Sequence, residues 1–294
     1  MPDPDAMLRS LRGLSVGDAL GQAFFVDRGE PGPLIDGRLL PPGPWPWSDD
    51  TVMAQAIVDV LTRHGRIDQD ALAASFTERF LADTERGYGA VAYWLLHQLG
   101  AGRPWREVSR QVFSGQGSLG NGSAMRVAPL GAYLSEDLDR VQREARASAE
   151  VTHVHPDGIA GAEAVALCTA ELVRAGAEGC DGARLLERIA ERITPGETRD
   201  GVARAAGLLG QPPDLAAREL GDGRLVRCSD TVPFSLWCAV SSPWDYEEAI
   251  WLTLRGLESH ESDRDTVLAI VGGVVGALAD PPAAWVEARE ALPT

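Results

Sequence analysis

Two short stretches, far apart in the chain, carry the residues that packing explains least. Ser48-Asp49-Asp50-Thr51 follows Trp47, and Ser262-Asp263-Arg264-Asp265-Thr266 repeats the theme near the C-terminus: a hydroxyl, two close aspartates and a threonine. Each leads directly into an apolar run, Val52 to Leu61 and Val267 to Leu278. Close carboxylates repel one another, so placing them together costs free energy unless a cation or a helix end offsets it. Two such pairs brought face to face would present the all-oxygen ligand set that a hard divalent cation prefers. The same residue types are also ordinary helix N-caps, because Ser, Thr and Asp accept hydrogen bonds from first-turn amides. The helix dipole opposes a cation on the axis, so ligation requires the pairs to converge sideways from two helix ends. Spacing alone leaves both roles open.

A third stretch, Ser114-Gly115-Gln116-Gly117-Ser118-Leu119-Gly120-Asn121-Gly122-Ser123, is dominated by glycine. Gly115, Gly117 and Gly120 fit GxGxxG, but a dinucleotide fingerprint needs a preceding strand and a βαβ unit, and the flanks here have helical periodicity. What survives is physical. A glycine-rich turn leaves backbone N–H groups free to cradle an anion such as a phosphate as the chain enters a helix, expected near Ser123. A plain tight turn is the alternative. Arg126 is either an aid to such an anion or a surface side chain. In Val151-Thr152-His153-Val154-His155-Pro156 two histidines stand at i, i+2. A zinc site would need further ligands, with His64, His97 and His260 as the other histidines. That leaves a helix-entry turn with one hydrogen-bonded histidine, or contact with a substrate.

The elements that must position these residues read as helices. Gly13, Gly17 and Gly21 are spaced i, i+4 within a helix expected over 6–24, a bare stripe that another helix can approach closely. Asp18 lies beside the stripe, as an ordinary polar residue or as a supporting partner of a site. Residues 28–46, rich in Gly and Pro, predict an irregular loop delivering the chain to Trp47. Helical periods follow over 51–63, 69–82, 88–100, 104–112, 123–134, 137–150, 157–175, 181–193, 198–208, 213–219, 231–241, 245–258 and 266–279. Strand-like alternation is nearly absent, which predicts an all-α chain. No shift in composition suggests a boundary, so residues 1–294 are expected to form a single domain, least patterned over 176–230.

Composition bounds the partners. Asp and Glu number 43 against 27 basic residues, all arginine, for a net charge of −16. This balance argues against a nonspecific nucleic-acid or anionic-membrane surface and leaves room for a local basic pocket. Cys168, Cys180, Cys228 and Cys238 form no CxxC pair and suit free thiols. The start, Met-Pro-Asp-Pro-Asp, lacks a signal-peptide charge pattern, and the longest apolar run, Val267 to Ala279, is too short to span a bilayer. The expectation is a reduced, cytoplasmic protein with no membrane partner. Oligomeric state is not legible.

Taken in order, Gly17-Asp18-Ala19-Leu20-Gly21, Ser48-Asp49-Asp50-Thr51, Gly117 to Arg126, Thr152-His153, and Asp263-Arg264-Asp265-Thr266 with Gly272-Gly273 resemble the ADP-ribosylglycohydrolase family. The similarity extends from about residue 8 to Trp285. It implies a compact all-α orthogonal bundle of many helices, with a centre of two Mg²⁺ (or Mn²⁺) ions. On this resemblance Ser48, Asp49 and Asp50 supply one side of the centre, and Asp263, Asp265 and Thr266 the other. Gly117, Ser118, Gly120 and Asn121 match the family loop that holds the diphosphate and neighbouring ribose of ADP-ribose, and His153 matches a histidine near the ligand.

The implied activity is hydrolysis of the glycosidic bond joining ADP-ribose to an acceptor, a modified protein side chain or a small molecule. Such cleavage passes through an oxocarbenium-like transition state. Cations on the ribose diol would fix the sugar and acidify a water, while an aspartate not fully engaged with metal orients it; Asp50 and Asp263 are the candidates. The chain departs from the family pattern at three places. Phe25 stands where several members carry a glutamate, with Asp27 and Glu30 close enough in sequence to substitute. Leu119 replaces an aromatic residue, and Glu261-Ser262 replaces glycines. Phe25 motivates an alternative reading, a catalytically silent relative that binds ADP-ribose or a related nucleotide.

Overall fold

The computed structural model describes residues 1–26, 32–176, 179–257, 259 and 261–293. Among these residues are sixteen α-helices and no β-strand; the strand-like contacts are two isolated bridges, Trp45 with Arg289 and Gly120 with Arg227. The helices are α1 (Pro4–Val26), α2 (Gly32–Asp36), α3 (Asp49–His64), α4 (Gln69–Ala82), α5 (Ala90–Gly100), α6 (Trp105–Gln111), α7 (Ala128–Tyr133) and α8 (Leu138–Glu150). Then come α9 (Pro156–Ala175), α10 (Gly182–Arg192), α11 (Glu197–Gly207), α12 (Pro213–Leu220), α13 (Cys228–Ser241), α14 (Tyr246–Gly256), α15 (Arg264–Gly276) and α16 (Ala283–Ala288). The all-α expectation is met.

The glycine stripe of α1 packs on α15. A Cβ added to Gly13 would lie 2.2 Å from the carbonyl oxygen of Gly272, and one on Gly17 would lie 2.1 Å from that of Leu268. No side chain fits there, so the two backbones touch. The third glycine has the functional consequence: a Cβ on Gly21 would meet Asp265 Cα at 2.5 Å. Small residues on both helices therefore set the first turn of α15, with its aspartates, directly against α1. Behind this pair, α9 is buried along nearly its whole length, as an apolar helix without a polar face must be. One apolar cluster extends from Met7 to Trp285.

The long Gly/Pro segment is fastened by the chain's C-terminal end. Trp45 N donates to Ala288 O at 2.7 Å, Glu290 N donates to Trp45 O at 2.8 Å, and the Trp45 indole donates to Pro41 O at 3.0 Å. Two residues on, the Arg86 guanidinium lies 3.7 Å over the Trp47 ring while pairing with Glu290. The approach to the first aspartate pair is thus pinned on both sides.

Three details differ from the sequence expectation. Residues 28–46 were expected to lack regular structure, yet α2 forms within them and buries Ile35. The helix expected over 123–134 begins only at Ala128, with Pro129 in its first turn, after a single 3₁₀ turn at Asn121–Ser123. Proline favours such a start because its fixed φ suits the first turn and its missing N–H costs nothing there. A short helix, α16, is added at Ala283–Ala288. Among the described residues no helix is long and apolar enough to cross a membrane. The four cysteines are free, three of them buried.

Candidate active site

Ser48 caps α3. Its Oγ accepts from Asp50 N at 3.2 Å and donates to Asp50 Oδ2 at 3.0 Å. Beneath this turn lies Asp18 of α1, fully buried. Its carboxylate accepts from Ser48 N at 2.9 Å, Thr51 N at 3.1 Å and the Thr51 hydroxyl at 2.5 Å. Asp49 N donates to Arg86 O at 2.7 Å. The backbone donors of the turn are occupied, and Asp49 and Asp50 are left buried.

The second pair is held differently. Asp263 occupies the N-cap position of α15 but makes no capping bond. Its Oδ2 instead accepts from Asn121 Nδ2 of the glycine loop at 2.6 Å. Asp265 accepts from Gln22 Nε2 of α1 at 2.6 Å and from Thr266 N at 2.9 Å. Arg264, between the two, does not neutralise them: it turns inward and donates to Leu257 O and Ser259 O. Ser262 is buried and donates to Asp222 at 3.0 Å, which accounts for a side chain where a glycine was expected.

These residues meet the glycine loop at one cavity of about 790 Å³. Asp49, Asp50, Asp263, Asp265 and Thr266 line it, together with Ser118, Gly120, Asn121 and His153; Ser48 is not among its lining residues. Gly117 does not face the cavity. At φ +81° it lies so close to the next turn that a Cβ would meet Val154 Cγ2 at 2.4 Å, so its role is to seat the loop on the histidine segment. The two histidines separate cleanly. His155 Nδ1 accepts from Asp157 N as the cap of α9. His153 Nδ1 pairs with the Thr152 hydroxyl at 2.7 Å, and its Nε2 lies 3.4–3.5 Å from where a Cβ on Gly122 or Gly120 would be.

Electrostatics single out the aspartates. Burial, then the charges of Asp265 and Asp18, push Asp49 well above the usual carboxylate range. Burial and the charges of Asp18, Asp265, Asp49 and Asp263 do the same to Asp50, and burial with Asp265 to Asp263. Asp18 is raised to about 7, mainly by burial. The two pairs therefore act on one another across the cavity, with too little positive charge beside them. Arg126, expected as an anion aid or a surface residue, is not at the surface, though it lines the cavity. It is fully buried, donates to Ser148 O and Thr152 Oγ1, lies over the Phe76 ring, and is lowered to about 9 by burial. His153 is lowered to about 3, first by burial and then by Arg126, so it is neutral at ordinary pH.

Residues 3–292 match the ADP-ribosylglycohydrolase family model. The chain belongs to the ADP-ribosylglycohydrolase family. It is 28% identical to ADP-ribosylhydrolase ARH3 of Bos taurus over 300 residues, covering 92% of this chain and 79% of that one. A shorter segment of 143 residues is 36% identical to ADP-ribosylhydrolase ARH3 of Homo sapiens, covering 48% of this chain and 38% of the relative. Among solved structures, an ADP-ribosylglycohydrolase-related protein complex superposes with a TM-score of 0.66 at 25% identity, covering 98% of this chain and 93% of that one. The all-α fold is therefore that of the ADP-ribosylglycohydrolases, and the general chemistry of the family is hydrolysis of ADP-ribosyl bonds.

Membership puts the departures in place. Phe25 lies at the end of α1, 39% exposed, 5.8 Å from the Arg264 guanidinium, and does not line the cavity. Asp27 and Glu30, like His260, lie outside the described residues. Leu119 does line the cavity. Sequence reasoning left Asp18 undecided and missed Gln22 and the turn 221–227. For Asp18 the available signal was a charge beside the bare stripe of a helix bound to be buried. Gln22 carried none, and the turn reaches the site through tertiary approach alone.

A metal fits this site on the chemistry of its donors. The set is all oxygen, as Mg²⁺ and Mn²⁺ prefer. Asp50 Oδ1 is buried and has no hydrogen-bond partner, and the mutual repulsion of the carboxylates is what a cation would relieve. The described residues contain no group of three His, Cys, Asp or Glu already set to hold a metal ion. Several carboxylate oxygens are taken instead by the Ser48 hydroxyl and the amides of Asn121 and Gln22. Repulsion and the unpaired Asp50 oxygen weigh more than that gap, because a buried lone acceptor costs free energy however the neighbours are spaced.

Proposed function

We propose that this chain, as one domain over 1–294, is a divalent-cation-dependent hydrolase. It cleaves the glycosidic bond between ADP-ribose and an acceptor, a modified protein side chain or a small molecule, and releases ADP-ribose. One observation carries the reading: two aspartate pairs from distant parts of the chain share a single cavity with a glycine-rich loop and a neutral histidine. Ser48, Asp49 and Asp50 would hold one side of a centre of two Mg²⁺ or Mn²⁺ ions, and Asp263, Asp265 and Thr266 the other. Bound there, the ions would fix the ribose diol and lower the pKa of a water.

The chain's own groups do the rest. The bond from the anomeric carbon to the acceptor breaks, the water oxygen attaches there, its proton passes to an aspartate, and the departing acceptor takes up one proton from solvent, to which the aspartate returns its own. Asp50 is the first candidate base, because Oδ1 has no partner and its environment favours taking up a proton. Asp263 is the second, held in place by the Asn121 amide. The backbone N–H of Ser118 would bind the diphosphate, with Gly120, whose N–H donates to Ser118 Oγ at 3.2 Å, shaping the turn, and His153, neutral, would serve as a hydrogen-bonding partner rather than a charge.

The test is release of ADP-ribose from arginine, serine and O-acetyl linkages, with Mg²⁺ or Mn²⁺ and with EDTA, alongside Asp49→Ala and Asp263→Ala. Release on one linkage that vanishes in EDTA and in both variants supports the reading and names the acceptor. A folded, metal-loaded protein that neither binds nor releases ADP-ribose would sink it. Phe25, in the place of a family glutamate, favours the second reading, a binder without turnover; saturable binding with no release on any linkage would select it.

A further inference from the structure

The diphosphate of ADP-ribose carries two negative charges into a cavity whose walls are acidic, and the residues assigned so far supply no positive charge to meet it. His153 is neutral. Arg126 also lines the cavity, but it is fully buried and donates to Ser148 O and Thr152 Oγ1. Among the lining residues one other is basic: Arg227. Its side chain is exposed and makes no ion pair or hydrogen bond among the described residues, unlike Arg224, which is turned to Asp222. Asp230, in the first turn of α13, accepts from Leu225 N at 2.8 Å and makes no ion pair with Arg227.

The backbone beneath Arg227 is fixed against the glycine loop. Gly120 and Arg227 form an isolated bridge, Cys228 N donates to Leu119 O at 3.0 Å, and the Cys228 thiol donates to Gly120 O at 3.1 Å. Asn121 N donates to Val226 O at 3.3 Å, and Val226 N to Gly223 O at 2.7 Å. Val226 is held at φ +55°, a conformation that a β-branched residue rarely adopts and that persists only where the surroundings impose it. A strained turn, tied at several points to the glycine loop, thus places Arg227 at the cavity wall, its guanidinium without a partner among the described residues.

We infer that Arg227 is the charge partner of the substrate's diphosphate and makes the site selective for diphosphate-bearing ligands over uncharged nucleosides and ribosides. The inference rests on the ADP-ribose reading of the cavity. The planar, permanently charged guanidinium can grip phosphate oxygens in pairs while the loop N–H groups take the others.

The test is calorimetric titration of the Mn²⁺-loaded full chain with ADP-ribose, ADP and adenosine, at low and high salt. Wild type, Arg227→Ala and Arg227→Lys are compared, with Arg218→Ala as a control for net charge. The inference predicts that Arg227→Ala weakens ADP-ribose and ADP by roughly 10- to 100-fold and adenosine by less than about twofold. It also predicts a flatter salt dependence in that variant and partial recovery in Arg227→Lys. Unchanged ADP-ribose affinity in Arg227→Ala, or equal loss for adenosine and ADP-ribose, would overturn it. A wild-type chain that binds no ADP-ribose fails the functional reading first, before any variant is compared.

Discussion

The two aspartate pairs look alike on paper, yet the fold treats them differently. The pair on α3 is built into the protein: Ser48 caps its helix, Asp18 accepts three donors beneath it, and the Trp47–Arg86–Glu290 staple holds its approach. The pair on α15 is suspended. It is half-buried, Asp263 caps nothing, and two side-chain amides, from Asn121 and Gln22, hold it toward its counterpart. The difference is between a fixed half, held by backbone and buried carboxylate contacts, and a half held by two side-chain amides. Carboxylates forced together in a dry interior are a stored cost, and function is the usual reason to retain one.

The largest expected effect separates that cost from that function. Asp50→Asn should lower ADP-ribose release by at least about 10²-fold, since it replaces a carboxylate oxygen with an amide and removes both the ligand charge and the candidate base. In EDTA the same variant should melt higher than wild type, because one repelled charge is gone. A lower melting temperature together with retained release would reverse the roles given to the fixed half.

Removing its foundation should have the opposite effect on stability. Asp18→Ala leaves Ser48 N, Thr51 N and the Thr51 hydroxyl without their acceptor in a buried turn, at a cost of roughly 2–5 kcal/mol. Denaturant unfolding measures the loss directly. A change under about 1 kcal/mol would mean that the turn stands without Asp18.

A pH series sharpens the comparison further. Asp18 is raised from 3.8 to about 7 in the folded protein, so between those values the folded state holds a proton that the unfolded state lacks. Its contribution to stability is complete below about pH 4 and is lost as pH rises through about 7. The cation-free protein should therefore melt at falling temperatures from pH 4 to 7, and added Mg²⁺ should flatten that slope. A melting temperature that rises with pH in EDTA would contradict the account.

The smallest effect belongs to the suspended half. Asn121→Ala and Gln22→Ala remove supports rather than ligands and should each weaken cation affinity by about tenfold while leaving the fold intact. Equal affinity in both variants would show that the second pair needs no holding.

What was legible in the sequence follows the same division. Helical periods and the bare stripe on α1 could be read because backbone contact with α15 demands glycine at Gly13, Gly17 and Gly21 themselves. The residues proposed for the site could be gathered because each is an unusual local pattern. The start of α7 was not legible: Ser123 to Val127 has helix-compatible residues, and the delay comes from Pro129 and the 3₁₀ turn before it. The burial of Arg126 was not legible because an arginine is seldom fully buried, and nothing local announces the carbonyl and hydroxyl acceptors that permit it. The turn 221–227 reads as a loop and gains meaning from contacts with Leu119, Gly120 and Asn121, distant in sequence.

The central claim is that the two halves make one cation site, and binding of Mn²⁺ tests it most directly. Titration of the full chain, followed by calorimetry or by loss of the free-ion paramagnetic signal, should give two sites in the wild type. Binding should collapse in Asp50→Asn and in Asp263→Asn alike, although the second acts from the opposite helix. Binding that survives Asp263→Asn unchanged, or no binding in the wild type, would contradict the account.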